Sequence, residues 1–185
     1  MSLRTLLALG LVSLGSCTPD EPAAPPDGYR IVRPAASSDL AWDVIAVMWE
    51  RVNFHDGPAI LENTLRGATP GQRAVYACTW YRSEVNNGGH GQFFSNSTGA
   101  LWPEALEGFR SLQASAYARN LEEALAVFGE AGPSRDREQR QRQIDAVPGG
   151  AWDEMDKAFL ALQKRQPLSE IFVRYIGENP SEFFR

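Results

Sequence analysis

From residue 38 onward apolar residues recur at helical spacing, and no alternating run of five or more residues argues for a strand. Ser38 and Asp39 offer an N-cap before Leu40, Val44, Val47 and Met48, with Ile45 and Val52 widening the stripe. Asp56-Gly57-Pro58 stops or bends that helix. Thr69 is placed to cap the next, with Pro70 at its first position, where the missing N–H costs nothing. Its face is Ala74, Cys78, Tyr81 and Val85, thickened by Tyr76 and Trp80. Pro103 and Glu104 open a short helix over 102–112. The clearest stripe is Tyr117, Leu121, Leu125 and Phe128 within 115–130, with Glu122 and Glu123 turned to water. Trp152, Met155, Phe159 and Leu162 define a further helix, and Leu168, Phe172, Tyr175 and Ile176 a last one, with Phe183-Phe184 folding back on the core. Residues 135–143 are nearly all charge and amide, which predicts a solvated helix or a mobile loop. The expected fold is all-α, one compact multi-helix domain over 38–185.

One stretch fits no amphipathic pattern. Glu84 to Gly99 reads EVNNGGHGQFFSNSTG. Asn86, Asn87, Gly88 and Gly89 are residue types that accept a left-handed backbone and close a helix. Gln92-Phe93-Phe94 then forms one turn that drives two rings inward, and Asn96-Ser97-Thr98-Gly99 is a second cap-and-turn cluster. Two readings follow. In the first, the segment is a rigid elbow between packed helices, its amides satisfying buried backbone. In the second, Glu84, His90, Gln92 and Asn96 line a polar pocket.

The N-terminus carries a different message. Arg4 followed by the apolar run Leu6 to Val12 has the layout of a secretory signal, and the run is too short to span a bilayer. Leu14-Gly15-Ser16-Cys17 then looks like the lipobox of bacterial lipoproteins, with residues 1–16 removed and Cys17 acylated. Residues 17–37, with Pro19, Pro22, Pro25, Pro26 and Pro34, make a semi-extended tether; Tyr29, Ile31 and Val32 dock on the domain as an isolated short strand or as nothing regular. The expectation is a protein anchored by lipid in the cell envelope, facing the periplasm. Cys78 is then alone, so no internal disulfide supports the core, and it reads as a small buried apolar residue.

The remaining chemistry-bearing residues form no recognised catalytic set. His55 and His90 are not at metal-ligand spacing, and there is no HExxH pattern or paired-cysteine set. A cysteine inside an apolar stripe is a poor nucleophile. No metal or cofactor is expected.

The elbow also carries a resemblance. Glu84, Val85, Asn87, Gly88, Gly89, Gln92, Phe93, Phe94, Asn96 and Gly99 match the signature of the DNA-mimic-protein family, a domain of unknown function in most members. His90 stands where the family usually has Phe, and Tyr175, Ile176, Glu178, Asn179 and Phe183 resemble its C-terminal pattern. The resemblance extends from about Asp39 to the C-terminus. It implies an all-helical domain, often a homodimer, and an eponymous member that mimics DNA to occupy a DNA-binding protein. DNA mimicry needs a dense negative face, whereas this chain has 23 acids against 18 bases, with Arg110, Arg119, Lys157, Lys164, Arg165 and Arg174 interspersed. The expected partner is therefore a protein, with no nucleic acid.

Overall fold

The computed structural model describes residues 27–51, 54 and 57–185. Cys17, the signal segment, most of the tether, Val52 and His55 lie outside these residues. The described residues form eight α-helices and a single isolated bridge. They are α1 (Leu40–Arg51), α2 (Pro58–Arg66), α3 (Pro70–Ser95), α4 (Trp102–Ser111), α5 (Ser115–Ala126), α6 (Arg137–Ile144), α7 (Asp153–Arg165) and α8 (Leu168–Glu178). None of them is long and apolar enough to cross a membrane.

The helix starts follow the sequence closely. Asp39 Oδ1 accepts from the Trp42 N–H at 3.0 Å, capping α1. Thr69 and Gln72 form a reciprocal capping box at the start of α3, with Pro70 in its first turn. Helix α2 has no counterpart in the sequence expectations. Pro58 opens it after Gly57 at φ 88°, and among its described side chains Leu61 and Leu65 are buried in the core, a stripe too short to stand out against its polar neighbours.

Helix α3 is the axis of the molecule and touches α1, α4, α6, α7 and α8. Its buried side takes in Val75, Tyr76, Cys78 and Tyr81, all with no exposed surface. Around Tyr81, Phe93, Phe109 and Phe159 stand edge-on at centroid distances of 4.9, 5.3 and 5.6 Å, an aromatic core in its favoured geometry. Helix α4 approaches so closely that a Cβ on Gly108 would lie 2.8 Å from Cys78 Sγ and 3.1 Å from Ala74. Cys78 is the small buried residue its place in the stripe implies, and burial raises its thiol pKa well above the ordinary value.

The two ends of the described chain meet. The Ile31 N–H donates to Phe183 O at 3.0 Å and the Arg185 N–H to Ile31 O at 3.1 Å, closing the bridge between Ile31 and Phe184. Tyr29 is buried and its N–H donates to Gln72 Oε1, so the capping box of α3 also seats the N-terminal segment. Phe183 folds back into the core with no exposed surface.

Candidate functional site

The elbow is a break inside α3. Gly88 (φ −153°, ψ 25°) and Gly89 (φ 75°, ψ −177°) leave helical geometry, and helix resumes at His90. Gly89 occupies a conformation essentially restricted to glycine, and a Cβ there would collide with the Asp156 carboxylate. Residues beyond the break fold back on the first arm, which puts Phe93 and Phe94 in the core with no exposed surface.

Glu84, at the end of the first arm, holds the corner together. Its Oε2 accepts from Gln92 Nε2 at 2.7 Å and Asn96 Nδ2 at 2.8 Å, and its Oε1 accepts from Thr98 Oγ1 at 2.8 Å. Asn87 Nδ2 donates in turn to Gln92 Oε1 at 3.1 Å. The sequence suggested that these amides serve backbone; they serve a carboxylate instead. Three hydrogen bonds offset the desolvation of a charge that is only 8% exposed.

His90 belongs to a separate cluster. Its backbone N–H donates to Asp156 Oδ1 at 2.8 Å, its ring Nδ1 also meets Asp156 Oδ1, and its Nε2 lies 2.6 Å from the Tyr81 hydroxyl. A carboxylate only accepts, so Nδ1 carries the proton; in the neutral ring Nε2 then accepts from the Tyr81 hydroxyl. Burial pulls the His90 pKa below its ordinary value, against the opposing pull of Asp156. Burial likewise raises Tyr81 well above its usual range, with Asp156 and Cys78 adding to the effect. The relay Asp156–His90–Tyr81 therefore runs from a partly exposed carboxylate to a phenol with no exposed surface. Chemically it fixes proton positions inside the core.

The least expected contributor is Arg140 of α6, in the segment read as solvated. The helix forms, N-capped by Asp136, but Arg140 has no exposed surface. Its Nε donates to Phe94 O at 2.6 Å, Nη2 to Asn96 O at 2.7 Å, and Nη1 to Ser134 O at 2.7 Å and Arg135 O at 3.0 Å. Two of these acceptors lie at the C-terminal end of α3, where unpaired carbonyls and the helix dipole favour a cation. Burial lowers the Arg140 pKa to about 10, so the guanidinium stays charged at neutral pH. Gly99 is a glycine for this arrangement: a Cβ would stand 2.6 Å from Phe93 O and 2.8 Å from Arg140 Nε.

The predicted site residues thus separate into three groups. Glu84, Asn87, Gln92 and Asn96 converge, with Thr98; His90 pairs with Tyr81 and Asp156; Gly88, Gly89, Gly99, Phe93 and Phe94 shape backbone and core. Sequence reasoning did not single out Tyr81, Thr98, Arg140 or Asp156 as partners. Thr98 lies inside the motif, and nothing local marks Arg140 or Asp156. A cavity of about 380 Å³ opens nearby between Phe54, Pro58, Leu61, Ala100 and Arg137, and Ser97 is the one residue of the 84–99 stretch that lines it. No group of three or more His, Cys, Asp or Glu side chains among the described residues is arranged to hold a metal.

Comparison with curated proteins gives no match, and comparison with solved structures gives none. The model of one family, described as DMP19-like protein, matches residues 66–179, which is more than half of the chain and includes the whole elbow, Arg140 and Asp156. With its signature, its helical fold and this match in agreement, the chain belongs to the DMP19-like protein family.

Proposed function

We propose that the protein is a lipid-anchored component of the bacterial envelope, facing the periplasm, whose helical domain binds another protein rather than transforming a substrate. The observation that carries this reading is how the signature residues use their polar atoms. Glu84 accepts three internal donors, and both ring nitrogens of His90 are bonded in the core. A pocket reading would need Glu84 and His90 to face one solvent-reachable space, and their partner sets are separate. Membership of the DMP19-like family is consistent with an interaction domain, DNA mimicry included. The mimic version fits this chain less well, because Arg110, Arg119, Arg142 and Lys157 break up the exposed acids.

The anchor rests on the Leu14-Gly15-Ser16-Cys17 run. Cys17→Ser is expected to release the protein from membranes or block its maturation; a variant that still fractionates with membrane and carries lipid overturns the anchor. For the domain, cross-linked pull-down from envelope extract is expected to recover one stoichiometric protein partner with wild type and with Glu84→Gln alike. Failure to capture a partner, together with turnover of a small substrate that Glu84→Gln abolishes, overturns the interaction reading in favour of the pocket.

A further inference from the structure

The pole where the tether enters the domain gathers unusual cations. Arg33 lies over the Phe184 ring, its guanidinium carbon 5.0 Å from the centroid, and Arg51 lies 5.8 Å from the centroid of Tyr29. Ring faces hold both guanidinium groups, and among the described residues neither makes a hydrogen bond or an ion pair. Their N–H edges are the geometry that grips phosphate oxygens in pairs. Arg30, three residues before Arg33 and so within about 10 Å of it along the chain, is pinned by donating to Ser181 O and Asp27 O. A cleft of about 390 Å³ lies between Arg30, Val32, Val47, Arg51 and Arg185, and Val32 is 72% exposed there. Of the acids here, Asp27 pairs with Arg185 at 2.7 Å, Glu182 accepts from the Gly71 N–H and Asp39 from the Trp42 N–H, while Glu50, next to Arg51, is exposed.

We infer that this pole docks on the anionic phosphates of the bilayer that anchors the chain, with Val32 dipping toward the interface. The inference rests on the lipid-anchor reading of Cys17. Cys17 lies ten residues before Asp27, a span of at most about 35 Å even when fully extended. An anchor that short keeps the arginines beside the headgroups at an effective concentration in the millimolar range. Arginines near an anionic surface are each worth about fivefold in docking, and the exposed valine would add apolar contact.

The test uses the acylated full-length chain in vesicles of phosphatidylethanolamine with phosphatidylglycerol, and in vesicles of phosphatidylcholine alone. Val32→Cys carries an environment-sensitive fluorophore; Cys78 is buried and does not compete for label. The expected emission shifts to the blue only on the anionic vesicles and reverts in about 1 M NaCl, where the Debye length is near 3 Å. Arg33→Glu with Arg51→Glu lowers the docking equilibrium constant by at least about 25-fold, whereas the same charge reversal at exposed Arg119 and Arg142 does not. Equal emission on both vesicle types, or a shift that survives the Arg33/Arg51 pair, overturns docking. Mass spectrometry of Cys17 separates the two claims: no lipid on Cys17 defeats the anchor, while a lipidated protein that ignores headgroup charge defeats only the docking.

Discussion

Glu84 accepts hydrogen bonds from three neutral side chains, and two substitutions there separate its geometry from its charge. Glu84→Gln keeps the carbonyl that Gln92 and Asn96 address, and the Thr98 hydroxyl can turn to accept, so the expected loss is about 1 kcal/mol. Glu84→Ala leaves three donors without a partner and is expected to lose about 3 kcal/mol or more, read as the shift in urea midpoint. Arg140 gives the complementary case. Arg140→Lys offers one compact ammonium to four carbonyls set around a planar fork, and about 2–3 kcal/mol of stability is expected to go. His90 sets a pH dependence. The folded state protonates His90 less readily than the unfolded chain does, so its contribution is present above the unfolded pKa near 6.5 and is lost as pH falls from there toward the folded value. The urea midpoint of wild type should therefore drop more between pH 7.5 and pH 5 than that of His90→Phe, which has no titrating ring. Equal drops would show that His90 does not titrate on unfolding.

At the level of elements, the break in α3 and the seating of α6 carry the architecture. Gly89→Ala requires a positive φ and a Cβ against the Asp156 carboxylate, and is expected to cost about 2–3 kcal/mol. Gly177, inside α8 with nothing within 4 Å of its Cβ position, is the opposite case: Gly177→Ala should raise stability by about 0.5–1 kcal/mol. Thermal melts of the two variants should move in opposite directions. The break was legible in advance because Asn-Asn-Gly-Gly has few other uses, as was the inward course of Phe93 and Phe94. The role of Arg140 was not. Its neighbours in sequence are all polar, so no periodicity marks it, and two of its four acceptors lie 44 and 46 residues away at Asn96 and Phe94. Helix α2 was missed because nine residues between Gly57 and Gly67 are too few to show a helical period.

For the molecule as a whole, the joined ends matter most. The capping box at Thr69 and Gln72 could be foreseen from three residues, but not that Gln72 Oε1 would also receive the Tyr29 N–H, because that pairing is set by tertiary packing. A chain starting at Pro34 loses buried Tyr29 and the Ile31 bridge, and about 3 kcal/mol of stability is expected to go with them. The urea midpoint of that truncation checks it. All-α architecture itself was readable because six of the eight helices present apolar stripes long enough to count, from α1 through α8.

The bridge between Ile31 and Phe184 also constrains the order of events during folding. The seat of Tyr29 and Ile31 is incomplete until residues 181–185 have packed. Contacts separated by about 150 positions carry a loop-closure penalty that local helices do not. The α3–α4 pair can therefore assemble early in folding, whereas the segment carrying Tyr29 and Ile31 seats only once residues 181–185 are in place.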